Sequence, residues 1–203
     1  AEIRETGGTL HCRAERLTGC EITLSLPSVG ATENIMLAAV AAKGTTLILG
    51  AAREPEIVDL QQFLNAMGAN VRGAGSSVIA IEGGQKLHGA EYTIMPDRIV
   101  AATWLCAAAG CGGDVEVQGI DYRQLSTVTT VLAEAGCHIQ STSQTVRLKQ
   151  TGPLRGARMV RTAPYPGFPT DAQAPVMSAL AKGTGVTVFV ENMFEARCPH
   201  VDE

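Results

Sequence analysis

The residues from Pro164 to Asp171 form a stiff segment that ends in a carboxylate at the beginning of a predicted helix. The segment reads Pro-Tyr-Pro-Gly-Phe-Pro-Thr-Asp, with three prolines in its first six residues. Proline lacks a backbone N–H and restricts the residue before it, so no helix is expected before Thr170. Apolar residues then follow at helical spacing as far as Ala181, and Gly183 stops the pattern. The sequence therefore predicts that Asp171 lies on the first turn of this helix.

Two roles are open for Asp171 from its position alone. A carboxylate in the first turn of a helix can bind the free N–H groups there and act as an ordinary cap. The rigid segment upstream favours the second role, a reacting carboxylate, because a cap needs no proline-rich run to aim it. The sequence thus makes Asp171 the first candidate for a site residue.

A second candidate site lies at Ser28 to Thr32, where another predicted helix begins. Ser28-Val29-Gly30 offers a hydroxyl group, a glycine that permits close backbone approach, and the free N–H groups of a first turn. The positive end of the helix dipole favours an anion at such a place. The alternative is that Ser28 is an ordinary N-cap.

The remaining candidates are charged or titratable residues in weaker patterns. Asp97 beside Arg98 opens a third helix and is interpreted as a cap with a neighbouring ion pair rather than as a reacting group. Glu195 and Arg197 are two residues apart, so on an extended segment they point the same way and can pair, or they form a solvated edge. His200 has no ligand-like partner nearby and is interpreted as structural or exposed. No zinc spacing, phosphate-binding loop or Gly-x-Ser-x-Gly turn is present, so neither a metal nor a cofactor is expected.

The composition argues against several classes of protein. The chain has 203 residues, of which 45% are hydrophobic and 18% charged, with a net charge of −4, which is typical of a soluble globular protein. With only eight aromatic residues and no basic run, a nucleic-acid partner is not expected. The longest uncharged stretch, Ile99 to Gly113, is too short to span a bilayer, and no signal segment opens the chain. The six cysteines show neither CxxC pairs nor a disulfide framework, which favours a reduced, cytosolic protein.

An internal repeat organises the chain, and three kinds of glycine mark it. The glycine of a Leu-x-Gly turn recurs at Gly19, Gly89 and Gly156. The glycine that follows an alanine-rich helix recurs at Gly44, Gly113 and Gly183. A further helix-ending glycine recurs at Gly68 and Gly136. All three markers recur at nearly the same spacing, which predicts repeated structural units.

Each unit is predicted to contain a strand pair around the Leu-x-Gly turn, a helix, a strand, a second helix and a strand leading into the next pair. This order gives an α/β fold built from repeated βαβαββ units. The predicted strands are residues 9–12, 22–26, 45–49, 115–117 and 186–190. The predicted helices are residues 28–43, 56–67, 98–109 and 123–135, with a fifth beginning at Thr170.

Both ends of the chain resemble interior positions of a unit. Ala1-Glu2-Ile3 is similar to the residues that follow Gly68 and Gly136, and the chain ends where another second helix is expected to begin. Units that stack on neighbours cannot bury their apolar faces alone. The chain is therefore expected to be an interior piece of a longer array, and the alternative is a complete domain with atypical ends.

Five segments, in their order and spacing, resemble the UDP-N-acetylglucosamine enolpyruvyl transferase family. They are Ser28–Asn34, Ala51–Asp59, Pro96–Ile99, Ala163–Asp171 and Met193–Arg197. The resemblance covers nearly the whole chain and implies an inside-out α/β barrel of six repeated units in two domains, of which this chain would supply about three units. Residues 1–95 would then be the remainder of the first domain and residues 96–203 the first part of the second, both incomplete.

The resemblance also implies an activity and a set of site residues. The family transfers enolpyruvate from phosphoenolpyruvate to the 3-hydroxyl of UDP-N-acetylglucosamine in the cytoplasm, as the first committed step of peptidoglycan synthesis. Asp171 would bind the sugar hydroxyl and act as its general base, and Met193 would line the nucleotide-sugar site. The diphosphate would be held by Ser28, Val29 and Gly30. Residues near the domain interface or its crossover would support the site, namely Asp97, Arg98, Glu195 and Arg197. The implied partners are the two substrates and the remaining parts of the parent chain, without nucleic acid, membrane or cofactor.

The sequence departs from the family pattern at the reactive cysteine. The family carries this residue in a Gly-Gly-Cys loop followed by an arginine, and Cys111 does not match that loop. Cys111 also lies where a helix is expected to end, and the negative end of a helix dipole disfavours a thiolate. Two further phosphoenolpyruvate contacts of the family, an amino-terminal Lys-Asn pair and a carboxy-terminal arginine, are absent as well. Alternatives to the family's own reaction are a related enolpyruvylshikimate-phosphate synthase activity and a non-catalytic binding or scaffolding role.

The first prediction is that the 203-residue chain alone does not catalyse the transfer of enolpyruvate. It lacks the family's reactive-cysteine loop, so phosphoenolpyruvate and UDP-N-acetylglucosamine should yield no inorganic phosphate above the enzyme-free control. A phosphate-release assay on the purified chain measures this, and detectable release would contradict the prediction.

Overall fold

The computed structural model describes residues 2–201, and the chain divides into two compact units, Ala1–Met95 and Pro96–Glu203. Each unit has its own apolar core. In the first unit the fully buried side chains include Met36, Ile48, Ile57, Ile79 and Ile81. In the second unit they include Leu105, Ile120, Leu125, Leu132 and Leu148. The assignment of these units to two domains of a larger protein stays a prediction.

The first unit begins with an exposed hairpin and continues with one complete βαβαββ motif. Strands β1 (Glu2–Thr6) and β2 (Thr9–Arg13) form the hairpin. The motif consists of β3 (Glu21–Thr23), α1 (Val29–Ala41), β4 (Gly44–Leu49), α2 (Pro55–Ala66), β5 (Asn70–Arg72) and β6 (Val78–Gly83). Its strands form one sheet in the order β3-β4-β6-β5, in which β3 and β4 are parallel and the other pairs are antiparallel.

The second unit contains the later part of one motif and the beginning of the next. The first set is α3 (Arg98–Cys111), β7 (Asp114–Gln118), a 3₁₀ turn (Tyr122–Leu125) that leads into α4 (Ser126–Glu134), β8 (His138–Ser141) and β9 (Thr145–Lys149). The second set is β10 (Met159–Arg161), a 3₁₀ turn (Thr170–Ala172) that leads into α5 (Gln173–Leu180), β11 (Val188–Val190) and a 3₁₀ turn (Pro199–Val201). The strands form an antiparallel sheet, β7-β9-β8, and a parallel pair, β10-β11.

The helix ends follow from local sequence. The Ser28 side chain caps α1, and the Asp97 carboxylate caps α3 by accepting from the N–H groups of Ile99 and Val100. Capping by Ser and Asp satisfies N–H groups that the helix itself leaves free. Helix α3 ends at Cys111 and is capped by Gly112, whose φ of 75° lies in the left-handed region that a glycine adopts without strain.

Most of the predicted order of elements is confirmed, but one strand is missing and one pairing is wrong. No strand follows the Leu-x-Gly turn at Gly89, because residues 84–97 contain no strand between β6 and α3. We expected the strands on either side of the Leu-x-Gly turn to pair with each other. Instead, the strand before the turn, β2, pairs with β1, and the strand after it, β3, pairs in parallel with β4. The helix between β3 and β4 makes a crossover connection, which joins parallel strands. The last predicted strand is also shorter, because only Val188–Val190 of residues 186–190 is paired with β10.

At two of the three Leu-x-Gly turns, a close backbone approach explains the glycine. A Cβ atom added to Gly19 would lie 2.2 Å from the carbonyl oxygen of Thr45, and one added to Gly156 would lie 2.5 Å from that of Val186. The turns are bound there by matching hydrogen bonds. Gly19 donates to the Lys43 carbonyl at 2.9 Å, and Gly156 donates to that of Thr184 at 2.7 Å. The repeat read from the sequence therefore marks the same junction in both units.

We predict that Gly19→Ala and Gly156→Ala each lower the free energy of unfolding by about 1–3 kcal/mol, the usual range for inserting a methyl group into packed structure. The atoms that would be struck belong to the backbone and cannot rotate away. The matched control is Gly89→Ala, since nothing within the same unit lies within 4 Å of its added Cβ. Urea denaturation followed by circular dichroism gives the midpoints. Variants of Gly19 and Gly156 as stable as the Gly89 variant would show that the close approach does not explain the motif.

Candidate active site

The proline-rich segment closes on itself before it reaches Asp171. The backbone N–H of Ala163 donates to the Phe168 carbonyl at 3.0 Å, and that of Gly167 donates to the Pro164 carbonyl at 2.8 Å. The peptide bond between Tyr165 and Pro166 is cis. The side chain of Phe168 is buried in the core of the second unit. These contacts fix the segment just ahead of the 3₁₀ turn that carries Asp171.

Helix α3 supports this segment through its first residue. Arg98 is buried, and its guanidinium lies over the ring of Tyr165 at 5.6 Å from the centroid. A cation over an aromatic face contributes about 0.5–2 kcal/mol, with the larger values where water is excluded. The predicted cap at Asp97 is confirmed and fixes the start of the same helix. Arg98 thus supports the proline-rich segment through its aromatic residue.

The Asp171 side chain is exposed and engaged by Arg197 rather than by the helix. Arg197 Nη2 donates to Asp171 Oδ1, and the two side chains are 41% and 58% exposed. An ion pair this exposed contributes about 0–1 kcal/mol to stability, so it serves orientation more than folding. No backbone N–H in the described part of the chain donates to Asp171, so the capping hypothesis is wrong. Oδ2 has no hydrogen-bond partner among residues 2–201, which leaves that oxygen able to accept from a ligand.

Of the two alternatives for Glu195 and Arg197, the ion pair between them is not formed within the described residues. Arg197 reaches back to Asp171, and its guanidinium lies 5.6 Å from the ring centroid of Phe194. The next residue, Cys198, accepts from the Nε2 atom of buried Gln173 at 3.4 Å. Two contacts therefore join the end of the chain to the start of α5. The sequence could not reveal them, because each links residues that are far apart along the chain.

The carboxylate of Glu191, which the sequence did not single out, connects the segments of this site. Glu191 follows β11 and is partly buried. Its Oε1 accepts from Thr162 Oγ1 at 3.0 Å, from the Met193 N–H at 2.7 Å and from the Phe194 N–H at 3.2 Å. Its Oε2 accepts from Thr170 Oγ1 at 2.9 Å. Burial acts to raise the pKa of Glu191, but these hydrogen bonds outweigh it and lower the pKa below its ordinary value.

At the second candidate site, the start of α1 is capped by Ser28 and is accessible to solvent. Ser28 Oγ accepts from the Ala31 N–H at 3.3 Å, so the predicted N-cap is observed. Ser28 and Gly30 are exposed, and no atom lies within 4 Å of a Cβ added at Gly30. The first turn contains no acidic residue that would repel an anion. Further along the helix, burial and then repulsion from Glu56 raise the pKa of Glu33.

The candidate residues fall into two groups, one in each unit. Ser28, Val29 and Gly30 belong to the first unit. The second unit brings Asp171, Arg197 and the Met193 segment together through the contacts described above. Glu195 is exposed and forms no hydrogen bond or ion pair with Asp171 within the described residues.

Two of the four cysteines of the second unit, Cys106 and Cys137, are buried. Burial, together with the nearby Cys137, raises the pKa of Cys106 to about 12, and burial raises the pKa of Cys137 to about 11. Neither thiol is a nucleophile at neutral pH. Cys111 is exposed at the last residue of α3, as expected.

Among residues 2–201, no group of three or more His, Cys, Asp or Glu side chains is arranged to bind a metal ion. Over the same residues, no helix has both the length and the apolar character needed to cross a membrane.

The fold defines a class of protein. NikO, an enolpyruvyl transferase from Streptomyces tendae, has a solved structure that superposes on this chain with a TM-score of 0.82. The match covers 99% of this chain and 51% of that chain at 24% identity. The chain therefore has the α/β enolpyruvyl-transferase fold, as expected.

Sequence relatives then define the family. The family model for EPSP synthase (3-phosphoshikimate 1-carboxyvinyltransferase) matches residues 1–203, and the chain belongs to this family. It is 51% identical over 205 residues to UDP-N-acetylglucosamine 1-carboxyvinyltransferase 1 of Symbiobacterium thermophilum, covering 100% of this chain and 46% of that protein. It is 47% identical over 206 residues to UDP-N-acetylglucosamine 1-carboxyvinyltransferase of Finegoldia magna, covering 100% and 48%. The resemblance seen in the sequence is confirmed, and the chain spans about half the length of the curated relatives it matches.

Glu191 is predicted to stabilise the second unit more strongly when its carboxyl group is ionised than when it is protonated. Because its pKa is lower in the folded chain, this stability is fully present above the ordinary value of 4.5 and is lost as the pH falls through the folded pKa. Thermal unfolding midpoints at about pH 7 and about pH 3.5 should therefore differ more for the wild type than for Glu191→Gln. Glu134→Gln, at the exposed end of α4, is the control and should behave like the wild type. The same pH response in all three proteins would contradict this prediction.

Proposed function

We propose that this chain forms part of a UDP-N-acetylglucosamine 1-carboxyvinyltransferase. The whole protein would transfer enolpyruvate from phosphoenolpyruvate to the 3-hydroxyl of UDP-N-acetylglucosamine, in the first committed step of peptidoglycan synthesis. The observation that carries this proposal is the exposed Asp171 carboxylate, which is held by a closed proline-rich segment and has one oxygen engaged by Arg197. Relatives with this name are 43–51% identical along the whole chain, which supports the proposal.

In the proposed reaction, Asp171 removes the proton of the sugar 3-hydroxyl. The sugar oxygen forms a bond to the enolpyruvyl carbon, and the bond from that carbon to the phosphate oxygen breaks. Inorganic phosphate leaves and takes up a proton, which balances the proton that Asp171 removes from the sugar. Arg197 orients the carboxylate through Oδ1, and Oδ2 accepts the proton. A general base within hydrogen-bond reach contributes about 10²- to 10⁴-fold to the rate.

The remaining proposed roles concern binding. The capped start of α1 takes the diphosphate of the nucleotide sugar, since an open glycine and a helix N-terminus suit an anion. Met193 lines the nucleotide-sugar site, while Asp97, Arg98 and Glu195 support the structure around it. The partners are the two substrates and the rest of the protein, without nucleic acid or membrane. The protein would act in the cytoplasm and contribute to cell-wall synthesis, and so to cell shape and division.

The test uses the protein extended to the length of its curated relatives. We expect Asp171→Asn to lower kcat for phosphate release by about 10²- to 10⁴-fold and to change KM for phosphoenolpyruvate little, because the carboxylate acts on the sugar hydroxyl. Asp114→Asn is the matched control. Asp114 is also paired with an arginine, Arg147 at 2.7 Å, but lies on β7 outside the site. Turnover by Asp171→Asn at the wild-type rate would contradict the role of Asp171.

The same protein distinguishes the acceptor. UDP-N-acetylglucosamine is expected to bind and to support turnover, whereas shikimate 3-phosphate is not. Isothermal titration with each compound, followed by the phosphate assay, separates the two. Binding of shikimate 3-phosphate alone would replace the proposal with a shikimate-type transferase, and binding of neither would favour a scaffolding role.

A further inference from the structure

We propose that Glu191 is a positioning residue that sets Asp171 and the Met193 segment in fixed relation to each other. This inference rests on the proposed function and deepens it. The two carboxylate oxygens of Glu191 accept hydrogen bonds from two different segments of the chain. Oε2 is bound by Thr170, which directly precedes Asp171, and Oε1 is bound by the N–H of Met193. A single carboxylate therefore bridges the proposed base and the proposed sugar-binding segment.

The bridge is anchored in the sheet. Thr162 is buried and directly follows β10, where its N–H donates to the Val190 carbonyl at 3.0 Å. Its Oγ1 donates to Glu191 Oε1 and accepts from the Asn192 N–H at 2.8 Å. The Thr162 side chain thus fixes both the carboxylate and the turn that follows it. Glu191 is therefore held by the parallel strand pair rather than carried by a free loop.

The arrangement differs from that of an ordinary surface glutamate. Glu191 accepts four hydrogen bonds at 2.7–3.2 Å, and all four donors are hydroxyl or backbone N–H groups rather than cations. Hydrogen bonds to an ionised acceptor are stronger and shorter than neutral ones. Because the charge is satisfied by fixed donors, Glu191 is suited to holding backbone segments in place.

The accuracy of this bridge matters for the proposed reaction. Misplacing a catalytic group by about 1 Å can cost about 10²-fold in rate. The ion pair of Asp171 is with Arg197, so the connection from its turn to the end of β11 is made by Thr170 and Glu191. Loss of the bridge should therefore affect the base through Thr170 and the sugar site through Met193, while phosphoenolpyruvate binding is left unaffected.

Substitutions can separate the two arms of the bridge. Glu191→Ala removes both arms. Thr170→Val removes only the arm to Oε2 and keeps the shape of the side chain. Glu191→Gln preserves both arms, because the amide oxygen can accept the N–H groups while the amide nitrogen donates to Thr170 Oγ1. The variants thus distinguish a positioning role from general loss of structure.

The kinetic experiment uses the protein extended to the length of its relatives. For Glu191→Ala we expect kcat to fall about 10²-fold and KM for UDP-N-acetylglucosamine to rise about 10-fold, with KM for phosphoenolpyruvate within about 2-fold. For Thr170→Val we expect about a 10-fold fall in kcat with KM for the sugar unchanged. Glu191→Gln should retain at least about a tenth of wild-type kcat, and the control Glu134→Gln should match the wild type. Wild-type constants for Glu191→Ala, or losses that only follow the folded fraction, would overturn the proposal.

A second measurement decides the proposal independently of turnover. Amide hydrogen exchange, followed by NMR on the same proteins, should be faster at Met193 and Phe194 in Glu191→Ala and near wild type in Glu191→Gln. If the extended wild-type protein has no transferase activity, the proposed function fails, and the exchange rates still show whether Glu191 holds the segment. Unchanged exchange at both residues in Glu191→Ala would overturn the positioning role even in an active enzyme.

Discussion

The close approach of two backbones at the Leu-x-Gly turns of Gly19 and Gly156 is the constraint on which the crossover at each of these two turns depends. At Gly19 and again at Gly156, the chain lies against the segment that follows the next helix, at a distance that admits no side chain. Parallel bridges at Thr18 with Lys43 and at Arg155 with Thr184 mark the same junction. The helix between these two segments must cross over and return, so its beginning lies beyond the end of the first strand.

This geometry explains why both candidate sites occupy the same place in their motifs. Ser28 follows β3 and opens α1, whereas Asp171 follows β10 and opens the turn into α5. The first has a short connection and an open, capped helix start. The second has the proline-rich segment, an exposed carboxylate and the Glu191 bridge. One crossover geometry therefore presents an open, capped helix start in one unit and an exposed carboxylate in the other.

The sequence predicted those features that local chemistry determines. Proline placed the start of the turn at Thr170, capping residues placed α1 and α3, and glycines marked the repeat. The partner of Arg197 and the role of Glu191 could not be predicted, because both depend on residues distant in the chain that only the fold brings near. The predicted partner of β2 was wrong for the same reason. Strand pairing is decided by the whole sheet, and a turn between two strands does not require them to be neighbours.

At Gly19 and Gly156 the junction is closed by main-chain hydrogen bonds between the turn and the segment after the helix, and the first-turn residues of the helix take no part in these bonds. A duplicated copy of the motif can therefore exchange its first-turn residues without disturbing strand pairing or register. Divergence of chemistry after duplication then requires only a few substitutions at one position of the motif. The fold separates what must stay constant for assembly from what is free to become a new catalyst.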